Sequence, residues 1–280
     1  SIYYERLAYD EIFSNLLIFN EIKKRIEKIK KTPKEIKSDD IDKIKSIIPF
    51  KLTDDQEKVL SELVSDMKST KKMMRVLQGD VGSGKTIIAL ICSYLSFRNN
   101  FQTAVMVPTE ILANQHYKLF KSIFKNENIR IQILSGKTKL KEQNEIRDKL
   151  KNYEIDIIIG THSLFQTTVE FNNLGLVVID EQHKFGVKQR INLSQKGSNE
   201  TDVVLMTATP IPRTLILTNY GDMNISTIQN KPFSNNNIET FTKPADKISE
   251  VINLVENKIE SGDQVYWVCP IIDESDKLKL

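Results

Sequence analysis

The sequence predicts an α/β protein built on a mostly parallel sheet. Short apolar runs rich in β-branched residues alternate with amphipathic helical segments between residues 73 and 206. This alternation is typical of a parallel sheet that is covered by helices on both faces. A glycine-rich segment connects the first apolar run to a helix, and polar signatures follow several of the later runs directly. The carboxyl ends of strands are where such sheets place their functional groups, so these signatures are expected to share one edge.

Composition bounds the class of protein. A chain of 280 residues accommodates one large α/β domain and part of a second. A content of 40% hydrophobic and 28% charged residues is ordinary for a soluble protein, and no apolar run approaches the roughly 18 residues of a membrane helix, so no membrane partner is expected. The net charge of +3 is too small to argue for nucleic-acid binding. Cys92 and Cys269 have neither disulfide nor metal-ligand spacing, which favours a cytoplasmic protein.

Residues 1–50 are predicted to be helical and to carry no chemistry. A long helix is predicted over residues 3–31, because apolar residues recur at steps of three and four. They are Ile12, Leu16, Phe19, Ile22, Ile26 and Ile29. A Thr-Pro pair at 32–33 interrupts this pattern, and a second helix is predicted from Ser38 to Pro49. We interpret the lysine-rich outer faces as solvated surface rather than as a binding site.

Thr53 and Gln56 match a helix capping box just upstream of the glycine-rich segment. The box alone explains both residues. A glutamine ahead of a nucleotide loop can also recognise an adenine edge, because its amide offers a donor and an acceptor side by side. Spacing favours the cap, and the two roles are compatible if the cap fixes the loop that holds the base.

The glycine-rich segment is Gly79-Asp80-Val81-Gly82-Ser83-Gly84-Lys85-Thr86. A G-x-x-x-x-G-K-[ST] segment between a strand and a helix is a phosphate-binding loop, since its glycines let backbone N–H groups surround phosphate oxygens. Lys85 is expected to reach the terminal phosphates, and Thr86 to supply a hydroxyl to Mg²⁺. The positive end of the helix dipole supports the same site. Kinases, switches, transporters and motors all carry this loop, so it predicts a nucleotide but not its use.

Regular alternation continues after the loop helix. The predicted strands are Thr103–Val107, Ile129–Leu134, Ile155–Ile159, Leu176–Ile179 and Val203–Met206. Helices are predicted between them at about residues 110–124 and 140–150.

Two acids, Asp180 and Glu181, directly follow the strand that ends at Ile179. An apolar strand that ends on two acids suits a Mg²⁺-nucleotide site. Asp180 can orient the water shell of the metal, and Glu181 can polarise the water that attacks the γ-phosphate. His183 is either a surface histidine or a link from the γ-phosphate to the loop of the next strand.

The next strand ends in Thr207-Ala208-Thr209-Pro210. The hydroxyls of Thr207 and Thr209 suit a relay that couples the nucleotide to a moving element. A simple turn followed by proline at the first helical position explains the same residues, and spacing does not separate the two interpretations.

Together these blocks resemble the motifs of superfamily 2 helicases and translocases. Residues 79–86 resemble motif I, and the other matches are Pro108-Thr109-Glu110 to motif Ia, Gly160-Thr161-His162 to motif Ib, Asp180-Glu181-Gln182-His183 to motif II and Thr207-Ala208-Thr209 to motif III. Three blocks are more specific and resemble the RecG family of bacterial fork-remodelling helicases. They are residues 180–190, 207–214 and 266–270, and the last of them reads Y-W-V-C-P. Mfd-type translocases share much of this but typically read D-E-E-H in motif II and lack the Y-W-V-C block.

The resemblance implies a role for each matching residue. Gln56 would belong to an adenine-reading Q motif, and residues 79–86 with His183 would bind ATP. Lys85, Asp180 and Glu181 would be catalytic, with Thr86 and Asp180 near Mg²⁺. Thr109, Thr161 and His162 would lie along a DNA track, while Thr207 and Thr209 would couple the two activities. Lys118, Lys121, Lys137 and Lys139 are candidate supporting charges, although a solvated face explains each of them.

The resemblance also implies the domain organisation. Residues 1–50 would be a helical linker from a wedge domain, residues 51–229 a first RecA-like motor lobe, and residues 230–280 a linker and the start of a second RecA-like lobe. That start is expected to include strands at 238–241 and 264–268. Ser1 is not an initiating methionine, which predicts a piece of a longer protein that is poorly active alone.

The partners implied are branched double-stranded DNA, the second lobe and the wedge domain. The alternatives are a translocase that couples transcription to repair and a nucleotide-gated binding module.

Overall fold

The computed structural model describes residues 2–27, 30–136, 138–180, 201–208, 223–230, 232 and 239–268. The chain divides into two compact units, residues 1–234 and 235–280. In the first unit the helices are α1 (Ile2–Glu27), α2 (Ser38–Ile47), α3 (Asp54–Lys68), α4 (Lys85–Arg98), α5 (Glu110–Ile123) and α6 (Leu140–Lys151). Its strands are β1 (Met74–Gly79), β2 (Gln102–Met106), β3 (Ile131–Leu134), β4 (Ile157–Gly160), β5 (Leu174–Ile179), β6 (Asp202–Thr207) and β7 (Asn224–Ile228).

The seven strands form one sheet in the order β3-β4-β2-β5-β6-β1-β7. Every pair of neighbours is parallel, so the predicted fold class is confirmed. The first apolar run and the five strands predicted after the loop all form, and no end differs from its prediction by more than two residues. The edge strand β7 was not predicted, because its sequence Asn-Ile-Ser-Thr-Ile contains no continuous apolar run and only two of its residues are buried.

Side chains on the two faces of the sheet build two cores. One face of β2, β4 and β5 contributes Val105, Ile157, Ile159, Leu176 and Val178, which pack with α2, α3, α4 and α5. The other face of the same strands contributes Ala104, Ile158, Val177 and Ile179, which pack with Ile146 and Leu150 of α6. The alternation arises because successive side chains of a strand point to opposite faces. Burial on both faces explains why these strands are continuously apolar.

Buried lysines of the segment between α1 and α2 bind to the edge of the sheet at which the strands begin. Lys31 and Lys34 are 5% and 2% exposed, and both ammonium groups donate to Asp202 at the start of β6, at 2.6 to 2.7 Å. The interpretation of the lysine-rich segment as solvated surface is therefore wrong for these two residues. Lysine is rarely buried unless it is paired, and the carboxylate that pairs them is 171 and 168 residues away in sequence.

The six apolar residues that predicted one face of α1 lie outside the described side chains. In α4, Cys92 is buried, and burial raises the pKa of its thiol to about 12. Cys92 therefore serves as a small core residue. Cys269 lies outside the described residues.

The second unit contains α7 (Ile248–Glu260), preceded by a turn of 3-10 helix at Ala245–Lys247. No strand forms at Gln264–Val268 or over residues 239–241, so the strands predicted there are wrong for the described positions, and Ile238 lies outside them. A strand is stable only when another strand pairs with it, and in the part of this unit that is described no strand is present. Over the helices that the structure describes, none combines the length and the apolar character that a membrane crossing needs.

Candidate functional site

The glycine-rich loop joins the end of β1 to the start of α4. Gly82 and Gly84 have φ angles of +80° and +88°, a left-handed conformation that glycine adopts at little cost. Gly84 is the N-cap of α4, and no side chain caps the helix. The positive end of the α4 dipole therefore lies at the loop without a capping side chain, which suits an anion such as phosphate.

Lys85 and Ser83 give the loop its polar lining. The Lys85 ammonium is buried and donates to the carbonyls of Gly79 at 2.7 Å and Asp80 at 2.9 Å. The Ser83 hydroxyl is fully buried and has no hydrogen-bond partner within the described part of the chain. A buried hydroxyl without a partner and a lysine folded onto loop carbonyls both fit a loop that receives further oxygen ligands.

Gln56 connects the upstream helix to this loop. Its carbonyl oxygen accepts from the Thr53 N–H at 2.9 Å, and the Thr53 hydroxyl accepts from the Gln56 N–H at 3.3 Å, so the predicted capping box is present. The Gln56 amide nitrogen donates to the Ser83 carbonyl at 2.8 Å. One amide thus caps α3 and fixes the phosphate loop. The side chain is 1% exposed, and its adenine-reading role stays a prediction.

Asp180 follows β5 at the same edge of the sheet. Its backbone N–H donates to the Met106 carbonyl at the end of β2 at 2.8 Å, and its carboxylate lies 3.0 Å from the ring of His116. Asp180, Lys85 and Thr86 line one cleft of about 360 Å³. The structure therefore brings the phosphate loop and the first predicted acid together, although they are separated by about a hundred residues of sequence. Glu181, His183 and Thr209 lie outside the described residues.

The cleft also contains residues that sequence reasoning missed. They belong to α5 and are Leu112, Gln115, His116 and Leu119, which line the cleft together with the predicted loop residues. Their spacing of three and four residues puts them on one helical face. That spacing is visible in the sequence, but nothing in the sequence says that this face is turned towards Asp180.

The predicted DNA contacts lie at the ends of β2 and β4. Thr109 is exposed and caps α5, since its hydroxyl accepts from the Leu112 N–H at 3.3 Å. His162 is exposed in the turn after β4. Thr161 is instead 3% exposed, and its hydroxyl lies 3.5 Å from that of Ser163. Two of the three predicted side chains thus reach the surface, whereas Thr161 is buried at the start of the turn after β4.

The other predicted residues also differ in whether they are buried or exposed. Thr207 is the last residue of β6 and is buried, beside β1 and the start of the phosphate loop. Lys118, Lys121 and Lys139 are exposed, and Lys137 lies outside the described residues.

Comparison with known proteins identifies the family. A family model described as DEAD/DEAH box helicase matches residues 53–217. The ATP-dependent DNA helicase RecG of Thermotoga maritima is 45% identical over 276 residues, which cover 99% of this chain and 35% of that protein. RecG of Bacillus subtilis is 47% identical over 235 residues, covering 84% of this chain and 34% of that protein. The chain therefore spans about a third of the length of these relatives.

A solved structure agrees with these relatives. The structure of RecG bound to a three-way DNA junction superimposes with a TM-score of 0.79 at 41% identity, over 92% of this chain and 35% of that one. These identities and this superposition confirm the resemblance to RecG that the sequence motifs predicted. Because the helicase family model covers more than half of the sequence, this chain belongs to the DEAD/DEAH box helicase family.

Proposed function

We propose that this chain is the ATP-binding motor lobe of a DNA helicase that remodels branched DNA. The observation that carries the proposal is the single cleft in which Lys85 and Thr86 of the phosphate loop face Asp180. Relatives at 45% and 47% identity are named ATP-dependent DNA helicase RecG, and a structure of similar fold at 41% identity holds a three-way DNA junction. These names favour a fork-remodelling helicase over a translocase that couples transcription to repair.

The residues present fit ATP with Mg²⁺. The Thr86 hydroxyl and the Asp180 carboxylate are hard oxygen donors, which Mg²⁺ prefers, and Asp180 would hold the ion through its water shell. When bound, Mg²⁺ would neutralise negative charge on the phosphates. Lys85 would exchange the carbonyls of Gly79 and Asp80 for phosphate oxygens, and the Ser83 hydroxyl would gain an acceptor. Glu181, next in sequence to Asp180, would orient and polarise the attacking water.

The chain would work within a longer protein, since relatives of this similarity are about three times as long. A second motor lobe would close over the phosphates and supply an arginine, which in related nucleotide hydrolases raises the rate about 10³- to 10⁵-fold. A wedge domain would engage the branch point, and the exposed Thr109 and His162 would contact the DNA backbone. We place this activity in the cytoplasm.

Replacement of Lys85 by alanine tests the nucleotide site. We expect the dissociation constant of a fluorescent ATP analogue with Mg²⁺ to rise about 10- to 100-fold, because a charge-assisted hydrogen bond to phosphate is lost. Lys58, an exposed lysine of α3, is the matched control, and Lys58→Ala should bind as the unmodified chain does. Equal affinity in the Lys85→Ala variant would contradict the proposed site.

Branched-DNA remodelling is tested with the longer protein and a labelled three-way junction. The Glu181→Gln variant should bind ATP and stall, with little product. A nucleotide-gated binding module would keep its function in this variant, so normal activity would reject the motor.

A further inference from the structure

His116 contacts the carboxylate on which the proposed metal site depends. Its ring nitrogen Nε2 lies 3.0 Å from Asp180 Oδ2, and the two side chains are 7% and 11% exposed. An ionised carboxylate only accepts hydrogen bonds, so the ring nitrogen must be the donor. The contact is therefore a largely buried hydrogen bond to a charged group, which is stronger than one between neutral groups.

The fold brings this pair together through neighbouring strands. β2 lies beside β5 in parallel register, with Met106 opposite Ile179. α5 begins four residues after the end of β2 and Asp180 comes directly after β5, so both emerge at the same edge of the sheet. The face of α5 that contains His116 then lines the same cleft as the phosphate loop.

We propose that His116 is a positioning residue for Asp180, holding the carboxylate in the orientation that binds Mg²⁺ with the nucleotide. The inference rests on the proposed function and deepens it. Donation to Oδ2 restricts rotation of the carboxylate about its Cβ–Cγ bond, which is otherwise a soft torsion. Outer-shell partners of metal-binding carboxylates act in this way, and their removal typically costs about 10- to 100-fold in metal affinity.

A simpler account is that His116 only fills space and satisfies a buried acid. The two accounts differ in what the imidazole must supply. Space filling needs the volume of the ring, whereas positioning needs a hydrogen-bond donor at the place of Nε2. Phenylalanine keeps a ring without the donor. Glutamine has no ring but can place an amide N–H near the position of Nε2.

The experiment measures Mg²⁺ dependence of nucleotide binding rather than turnover. Binding of a fluorescent ATP analogue to the chain is titrated with Mg²⁺, and again in EDTA, for His116→Phe, His116→Gln and His116→Ala. We expect the Mg²⁺ concentration at half-saturation to rise about 10-fold or more in the Phe and Ala variants and to stay within about 3-fold of the unmodified value in the Gln variant. Binding in EDTA should be equal in all of them. The unfolding midpoint of each variant is measured alongside.

Matched controls separate the possible results. Asn114→Ala changes an exposed residue of α5 that does not line the cleft and should leave the Mg²⁺ dependence unchanged. An unchanged Mg²⁺ midpoint in His116→Phe would overturn the inference while leaving the proposed function intact, as would equal losses in His116→Gln and His116→Ala. Absence of any Mg²⁺-dependent binding by the unmodified chain would overturn the proposed function itself, and the inference with it.

Discussion

Gln56 shows at the scale of a single residue how one amide can serve two elements. Its oxygen completes the cap of α3, and its nitrogen fixes the carbonyl of Ser83 inside the phosphate loop. The contact is close enough that a Cβ atom on Gly84 would meet the Gln56 amide nitrogen at 2.2 Å. The glycine at this position is thus required by the neighbouring side chain as well as by its left-handed backbone.

Replacement of Gln56 by alanine tests both roles. We expect the free energy of unfolding to fall by about 2 kcal/mol, because a capping contact is lost and the buried Ser83 carbonyl loses its donor. Nucleotide affinity should fall as well, since the loop is no longer fixed. Urea denaturation and binding of a fluorescent nucleotide measure the two effects.

Gln143 provides the comparison for this variant. Its amide nitrogen donates to the Thr138 carbonyl at the start of α6 at 2.7 Å, but it does not line the nucleotide cleft. Gln143→Ala should lower stability slightly and leave nucleotide affinity unchanged. If Gln56→Ala kept full affinity while losing stability, its role would be limited to the cap.

At the scale of elements, Asp202 ties the segment before α2 to the sheet. Its carboxylate is fully buried and accepts from the Lys31 and Lys34 ammonium groups and from the Met73 N–H at 2.9 Å. The backbone of the same segment is paired with the end of α3, because the Lys31 N–H donates to Thr70 and the Lys34 N–H to Met67. Asp202 thus joins this segment to the starts of β1 and β6, and the backbone hydrogen bonds join the same segment to the end of α3.

We expect Asp202→Asn to lower the free energy of unfolding by about 3–5 kcal/mol, because two buried cations lose their anion while the shape of the side chain is kept. Chemical denaturation measures this loss. Glu170→Gln is the matched control, since Glu170 pairs with Lys151 at 2.8 Å with both side chains more than half exposed. Breaking that surface pair should lower stability far less, because exposed ion pairs contribute little. Similar costs for the two variants would contradict a special role for the buried cluster.

The same cluster predicts a pH dependence. Burial lowers the pKa of Lys31 below its ordinary value of 10.5, and the charge of Asp202 opposes that shift. Between the lowered pKa and 10.5 the unfolded chain binds more protons than the folded chain, so the contribution of Lys31 to stability rises with pH across that window. In Asp202→Asn the pKa of Lys31 should fall further, because the opposing carboxylate charge is gone. The loss of unfolding free energy in this variant should therefore become smaller as the pH approaches 10.5.

At the scale of the molecule, the first unit has two cores that share one sheet. Leu90 of α4 and Leu150 of α6 are both fully buried, one in each core. The strands between them contribute alternate side chains to the two cores, so neither core can lose its packing while the sheet stays intact. The unit is therefore expected to unfold in one step.

Leu90→Ala and Leu150→Ala test this cooperativity. Each should lower the free energy of unfolding by about 2–5 kcal/mol, and the double variant should show the sum within about 0.5 kcal/mol, because the sites share no partners. Far-ultraviolet and near-ultraviolet circular dichroism should report the same midpoint in urea. Separate transitions for the two variants would show that the cores unfold independently.

The sequence by itself determined the parallel sheet, the phosphate loop, the capping box at Thr53, and the family. Each of these depends on local spacing: β-branched runs, glycines at fixed offsets, and a hydroxyl one position before a helix. Similarity to RecG was also evident, because its motifs are short contiguous blocks.

Only the tertiary structure decided which distant groups meet. The contacts of His116 with Asp180 and of Lys31 and Lys34 with Asp202 join residues that are 64, 171 and 168 positions apart, and the order of strands in the sheet creates them. Only the structure shows that Thr161 is buried whereas Thr109 and His162 are exposed. The sequence motifs had assigned the same DNA-contacting role to all three. The residues at 264–268 have the composition of a strand but form none. A strand needs hydrogen bonds to a second strand, and the described part of this unit contains no other strand.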